Sequence, residues 1–260
     1  DAFAQLLFQV TLQPLLLPLV QLGRVQILEQ VLPLAGLVLD STLDSGEEIR
    51  FLNKISGTIR QLVRQTHFTT RELEVVLLIY YKLLKEDDDN GGARFSARKG
   101  ITRHQFTTVF DTVFGMTDNA MLRRVMTALD KGASSYVTME TWAKTMSLFL
   151  RGSFEEKMRY CFDVYDIQAE GMIRRDHMML LLRSAFIKHV DEEVEEAVKD
   201  MVDIMLHKMD LDRDGAISFE DYRESVRRSP ELMECFGQAL PDRGHIYAFS
   251  RTFLERVRKF

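Results

Sequence analysis

The sequence predicts an all-α fold: four helix-loop-helix units paired into two lobes, with short β-bridges between the paired loops. Three observations lead there. From about Ile49 onward, apolar residues recur at helical spacing almost without a break, and no alternating stretch is long enough for a substantial strand. Capping boxes at Thr69 with Glu72 and at Thr102 with Gln105 mark helix starts, and Gly115 marks a stop. Helix, loop, helix occurs four times at intervals of some tens of residues, as in an internal repeat whose helix pairs bury their apolar faces against one another.

Residues 1–48 come first, as a Leu- and Pro-rich appendage expected to pack poorly; a hydrophobic docking segment is the alternative. Pro14, Pro18 and Pro33 interrupt helices here, and Gln9, Gln13, Gln21, Arg24, Glu29 and Gln30 break the apolar run short of the ~20 residues that span a bilayer. The start as given has neither the pattern of a signal peptide nor the second-position glycine of an N-myristoylated chain, so neither is expected. Residues 49–150 form an N-terminal lobe. Its first helix is lined by Leu73, Val76, Leu77, Tyr80, Leu83 and Leu84, and its second by Phe106, Val109, Phe110, Val113 and Phe114. Helices over 121–129 and 142–150 flank the second loop. Residues 151–229 form a C-terminal lobe, with helices over 154–165 and 178–186 around the third loop and over 194–209 and 219–226 around the fourth. Residues 230–260 end in an amphipathic helix that puts Phe253, Val257 and Phe260 on one face.

The fourth loop carries the chemistry. A hard dication needs six or more oxygens converging at about 2.4 Å. Asp210, Asp212 and Asp214 offer carboxylates at the first, third and fifth positions of a twelve-residue EF-hand loop, Ala216 its carbonyl at the seventh, and Ser218 a hydroxyl or a bridged water at the ninth. Gly215 stands at the sharp turn. Ile217, at the eighth position, calls for an apolar counterpart in a second loop. The twelfth residue is Asp221 where a bidentate Glu is usual, so calcium is expected to bind less tightly and magnesium to compete. Ser218 and Asp221 also have capping-box spacing. The alternative is a solvated acidic turn. Against it, Val194, Val198, Met201 and Met205 repeat at helical spacing before the loop, as do Phe219, Tyr222 and Val226 after it.

The other loops keep less of the pattern. Asp166, Glu170, Gly171 and Ile173 fit the third loop and make Asp166 and Glu170 weak secondary metal candidates, but Gln168 and His177 hold the third and twelfth positions. Zinc at His177 would need thiolate or histidine ligands nearby, which the sequence does not place there. In the second loop Asp130 and Val137 are in register, while Gly132, Ser134, Ser135 and Thr141 stand where ligands or the turn glycine belong and Glu140 is displaced by one residue. The first loop, read from Asp87 through Gly92, puts Arg94 and Arg98 where an apolar residue and an acid belong, which reads as a solvated turn.

Several segments between the loops are similar to one family. Phe114-Gly115-Met116-Thr117-Asp118, Leu148 through Met158, Tyr160-Cys161-Phe162, Ser218-Phe219, Asp221-Tyr222, Phe236-Gly237 and Leu240-Pro241-Asp242 resemble calaxins, EF-hand proteins of the ciliary outer dynein arm within the neuronal-calcium-sensor-like group. The likeness runs from about Phe68 to Asp242. It implies a cytoplasmic protein of the axoneme of cilia and flagella that binds calcium and regulates or docks the dynein arm, with a dynein-arm, docking-complex or tubulin segment as protein partner. Family members usually keep ligands in the second and third loops too, which Gly132, Ser134, Thr141, Gln168 and His177 remove here, so the likeness does not extend to a cooperative multi-site switch.

Two further readings stay open: a calcium-insensitive structural adaptor, and a cytosolic sensor of another target helix. The final helix could fold back into the chain's own groove or bind an acidic partner such as a tubulin or dynein surface. All thirteen methionines lie from Met116 onward; they suit an adaptable surface, yet periodicity places Met158, Met201 and Met205 inward. A formal charge of -5 argues against nucleic acid, and two cysteines make no disulfide framework, with Cys161 reading as a core thiol. No enzyme is expected: there is no nucleophile elbow, phosphate-cradling glycine loop or H-E-x-x-H, and His104 and His207 are isolated on helices.

Overall fold

The computed structural model describes residues 45–89, 100–130, 135–185 and 192–258. The appendage up to residue 44, residues 90–99 of the first loop, Gly132 and Ser134 of the second, Phe186 at the end of the expected 178–186 helix, and the side chains of Val194, Phe253, Val257 and Phe260 lie outside the described residues.

In chain order come α1 Ser45–Lys54, α2 Ser56–Val63, α3 Thr70–Asp89, β1 Ile101–Thr102, α4 Arg103–Phe114, α5 Asn119–Leu129, β2 Tyr136–Val137 and α6 Met139–Arg151. There follow α7 Phe154–Tyr165, β3 Met172–Arg174, α8 Arg175–Ala185, α9 Glu192–Met209, β4 Ala216–Ser218, α10 Phe219–Arg228, a 3-10 turn Pro230–Glu234 and α11 Arg243–Arg258. The fold is all-α, and its strands are two short antiparallel bridges, β1 with β2 and β3 with β4, as the sequence predicts. The chain forms two compact units whose membership follows packing rather than chain order. Of the described residues, those within 45–116, 129–153 and 241–258 contribute to one, and those within 117–128 and 154–240 to the other.

In the first of these, α3 starts at a reciprocal cap. The Glu72 amide donates to Thr69 Oγ1 at 3.3 Å, and the Thr69 amide donates to Glu72 Oε2 at 2.8 Å. Leu73, Val76, Leu77 and Tyr80 bury the inner face of α3 against α6, where the Trp142 indole donates to the Val76 carbonyl at 3.0 Å. A buried indole needs such an acceptor. Phe106, Phe110 and Phe114 carry the core along α4, and Gly115 ends that helix at φ 67, in the left-handed region that favours glycine. Helix α11 packs on α3, α4 and α6, with Phe249 centred 5.3 Å from Phe114 and Ala248 fully buried. The start of the helix thus packs on the chain's own apolar surface, while the face of Phe253, Val257 and Phe260, on which its two expected uses depend, lies outside the described side chains.

The β1–β2 bridge corrects the register of the first loop. Ile101 pairs with Val137, so Ile101 and Gln105, rather than Arg94 and Arg98, occupy the eighth and twelfth positions. Both partners of the bridge are fully buried, an environment that an arginine could not enter unpaired. Asp87, Asp88 and Asp89 belong instead to the last turn of α3. Gly100 is required here, because a Cβ would lie 2.2 Å from the Val137 carbonyl oxygen.

The second unit is built on α7, α9 and α10. Met158, Cys161, Phe162, Tyr165, Val198, Met201, Met205, Tyr222 and Val226 are each 3% exposed or less, so the methionines read as inward and the core thiol are where periodicity puts them. Phe162 meets Phe219 and Tyr222 with ring centroids 5.3 and 5.6 Å apart. In the β3–β4 bridge Ile217 finds its counterpart in Ile173, both fully buried.

Glu72 is 8% exposed, and its Oε1 also accepts from Arg151 at 2.7 Å. Burial raises its pKa, but the bonds from Thr69 and the Arg151 guanidinium outweigh burial and hold the carboxyl below its ordinary range. With the folded-state pKa depressed, this stabilisation is complete above the ordinary glutamate range and is lost as pH falls through the lowered value. Glu72→Ala is expected to cost the unit about 2 kcal/mol, and Glu72→Gln less because an amide can keep the cap. Urea unfolding followed through Trp142, the sole tryptophan, measures both; an unchanged midpoint for the Ala variant contradicts this account.

Candidate metal centre

Helix α9 ends at Met209 and β4 begins at Ala216, so the intervening residues must turn tightly. Arg213 at φ 63 and Gly215 at φ 87 make the turn. Left-handed backbone at those points swings the following amides inward. The Asp214 amide donates to Asp210 Oδ1 at 3.2 Å and to Asp212 Oδ1 at 3.3 Å, Gly215 donates to Asp210 Oδ2 at 2.9 Å, and Ala216 donates to Asp214 Oδ1 at 2.8 Å. These bonds aim three side chains at one region, where an oxygen from each of Asp210, Asp212 and Asp214 lies within 4.8 Å of the others. Oxygens on opposite sides of a calcium ion stand roughly 5 Å apart, so the spacing fits a hard cation. Among the described residues no other group of three His, Cys, Asp or Glu side chains converges this way.

Asp212 registers the electrostatic strain. Loss of hydration raises its pKa most, the Asp214 and Asp221 charges and the bond with Asp210 raise it further, and a backbone bond from Asp214 opposes them only in part. A dication relieves such crowding by replacing protons.

Two predicted ligands also serve as a helix cap. Ser218 is the N-cap of α10, and its hydroxyl accepts from the Asp221 amide at 3.2 Å. Asp221, 6% exposed, accepts from the Ser218 amide and hydroxyl at 3.1 and 2.6 Å through Oδ2, and from the Leu211 amide at 3.3 Å through Oδ1. The twelfth-position acid thus ties the head of α10 to the start of the loop and stays beside the three aspartates. Ala216, the proposed carbonyl ligand, opens β4.

The third loop has the same winding with different contents. Ala169 at φ 55 and Gly171 at φ 82 match Arg213 and Gly215 position for position. Asp166 is buried and accepts from the Glu170 and Gly171 amides at 3.1 and 2.7 Å, while the Glu170 carboxylate is held by Arg174 at 3.0 and 3.1 Å. His177 is 4% exposed with neither ring nitrogen hydrogen-bonded. The two secondary candidates therefore share a loop, and no third acid joins them among the described residues. In the second loop Asp130 meets Arg103 at 3.4 Å, and the Thr141 amide is spent on the Thr138 cap of α6.

Two arginines escape a reading by sequence: Arg103 at Asp130, and Arg124, which donates to the Val164 and Asp166 carbonyls at 3.1 to 3.2 Å. They reach these loops from other helices, and no spacing within a loop points to them. The isolated histidines His104 and His207 are exposed, as expected of surface residues.

Residues 155–227, spanning the third and fourth hands, match the family model of the EF-hand domain pair. Across a longer stretch the chain is 38% identical to calaxin of Danio rerio, over 60% of this chain and 75% of that protein. It is 40% identical to calaxin of Xenopus laevis, over 60% and 76%, and 43% identical to calaxin of Homo sapiens, over 55% and 68%.

Lengthening the twelfth-position acid tests the geometry. Asp221→Glu is expected to bring a bidentate carboxylate to the site and to tighten calcium binding about tenfold while magnesium gains little. Calorimetric titration of both ions measures the ratio, and an equal gain for the two speaks against Asp221 as a ligand.

Proposed function

The chain belongs to the calaxin family of calcium-binding EF-hand proteins, and from that premise we propose that it is a regulatory or docking subunit of axonemal outer dynein arms that takes one calcium ion in its last hand. The family's proteins bind calcium and are not enzymes. The convergence of Asp210, Asp212 and Asp214 supports the fourth hand as the site, with the Ala216 carbonyl, Ser218 and Asp221 completing the ligand set. Calcium supplies two positive charges to a region that holds four acids, Asp210, Asp212, Asp214 and Asp221. Magnesium competes there, because Asp221 offers a short twelfth ligand. Asp166 and Glu170 are secondary at most, since Glu170 faces Arg174. The partner is a protein segment of the dynein arm, its docking complex or tubulin, in the cilium or flagellum; among the described residues no helix is long and apolar enough to cross a membrane.

One observation favours a second reading. The third loop has the winding of a hand although Gln168 and His177 stand at its third and twelfth positions, which suits a pair that barely opens on binding. Under that reading the protein is a structural adaptor that the ion stabilises without switching it.

Calorimetric titration of the purified chain with calcium, with and without magnesium and repeated on Asp210→Ala, tests the site. One calcium per chain is expected in the wild type and none in the variant. More than one calcium-specific site, or binding that survives Asp210→Ala, overturns the assignment. Hydrophobic-dye fluorescence that rises with calcium supports the regulatory reading, and dye signal and proteolysis that ignore calcium support the structural adaptor.

A further inference from the structure

The third loop keeps the winding of a metal loop after losing the ligands, and that winding carries an electrostatic cost. It brings Asp166 inward to 7% exposure. A buried carboxylate needs a compensating charge, which in an occupied hand is the ion. Here a side chain arrives instead. Arg124 on α5 donates from Nε and Nη2 to the Val164 carbonyl at 3.2 and 3.1 Å, and from Nη2 to the Asp166 carbonyl at 3.2 Å. These carbonyls lie at the C-terminal end of α7, where acceptors lack helical partners and the helix dipole favours a cation. Desolvation draws the Arg124 pKa down, and the charge of Asp166 opposes that loss, so the guanidinium lies within the field of the buried carboxylate. The second loop shows the same substitution in simpler form, with Arg103 on the first-position acid Asp130 at 3.4 Å.

We propose that Arg124 is a positioning residue that takes the place of the ion in the third hand, keeping its loop ordered at every calcium concentration so that β3 presents β4 and the fourth loop already wound. The proposal rests on the reading of the fourth hand as a calcium site. Coupling between the loops runs through the buried Ile173–Ile217 pair. Were the third loop loose, calcium binding would have to order both loops, and apparent affinity would fall with the fraction of chains in the competent state.

Two substitutions separate charge from hydrogen bonding. Arg124→Lys keeps the cation and loses the planar fork, whereas Arg124→Gln keeps a donor and loses the cation. Titrating the full chain calorimetrically with calcium, the Lys variant is expected to stay within about threefold of wild type and the Gln variant to bind about tenfold more weakly. In calcium-free protein the Ile173 and Ile217 amides should exchange with deuterium faster in the Gln variant. Wild-type affinity for the Gln variant, or equal loss for Lys and Gln, overturns the proposal. Should the Gln variant fail to fold, the Lys variant decides, a tenfold loss overturning it and near-wild-type affinity supporting it. A wild type that binds no calcium removes the fourth-hand reading instead. The Ile173 exchange rate then still tests Arg124, because it needs no calcium: faster exchange in the Gln variant supports the ordering role, and unchanged exchange overturns it.

Discussion

A loop that winds its acids inward must meet them with positive charge, and the hands described here resolve this in different ways. At Asp130 and Asp166 arginines from other helices supply the charge, through an ion pair at 3.4 Å in the first case and through a half-buried guanidinium on the α7 carbonyls in the second. At Asp210 the loop gathers two further aspartates, and lost hydration together with the neighbouring charges raises the pKa of Asp212. The backbone is the same in the third and fourth loops, so winding alone does not make a metal site. What distinguishes them is whether the acids outnumber the protein's own cations.

Pairing explains why a loop without ligands is kept. Each bridge buries two apolar residues, Ile101 with Val137 and Ile173 with Ile217, all fully withdrawn from water. Deleting a hand would expose its partner's residue and leave a strand edge unpaired, at a cost of order 2 kcal/mol or more for the isoleucine alone. A ligand is easier to lose than a hand. Substitutions such as Gln168 and His177 remove coordination while Ile173 preserves the bridge, although His177 leaves two buried nitrogens without hydrogen bonds.

Much of this was legible in the sequence because it is local. The spacing of Asp210, Asp212 and Asp214, the caps at Thr69, Thr102 and Ser218, and the stop at Gly115 each depend on residues a few positions apart, and each is found where spacing puts it. Ile217 announced a partner because an apolar residue inside an acidic loop has no other use. The first-loop register was not legible from its acids: the Asp87–Asp89 run extends α3, and only the pairing of Ile101 with Val137, well apart in sequence, fixes the position. Arg124 was invisible for the same reason. Ala169 and Arg213 adopt left-handed backbone that their side chains disfavour, so the loop imposes that geometry and the residue type does not reveal it.

Helix α11 closes the chain against α3, α4 and α6, with Phe249 seated beside Phe114. A tethered helix of this kind acts at an effective concentration on the order of millimolar. Any free helix aimed at the same aromatic surface therefore meets a resident competitor that never diffuses away. Its observed affinity is discounted by that occupancy, and removing the resident raises affinity without adding a contact.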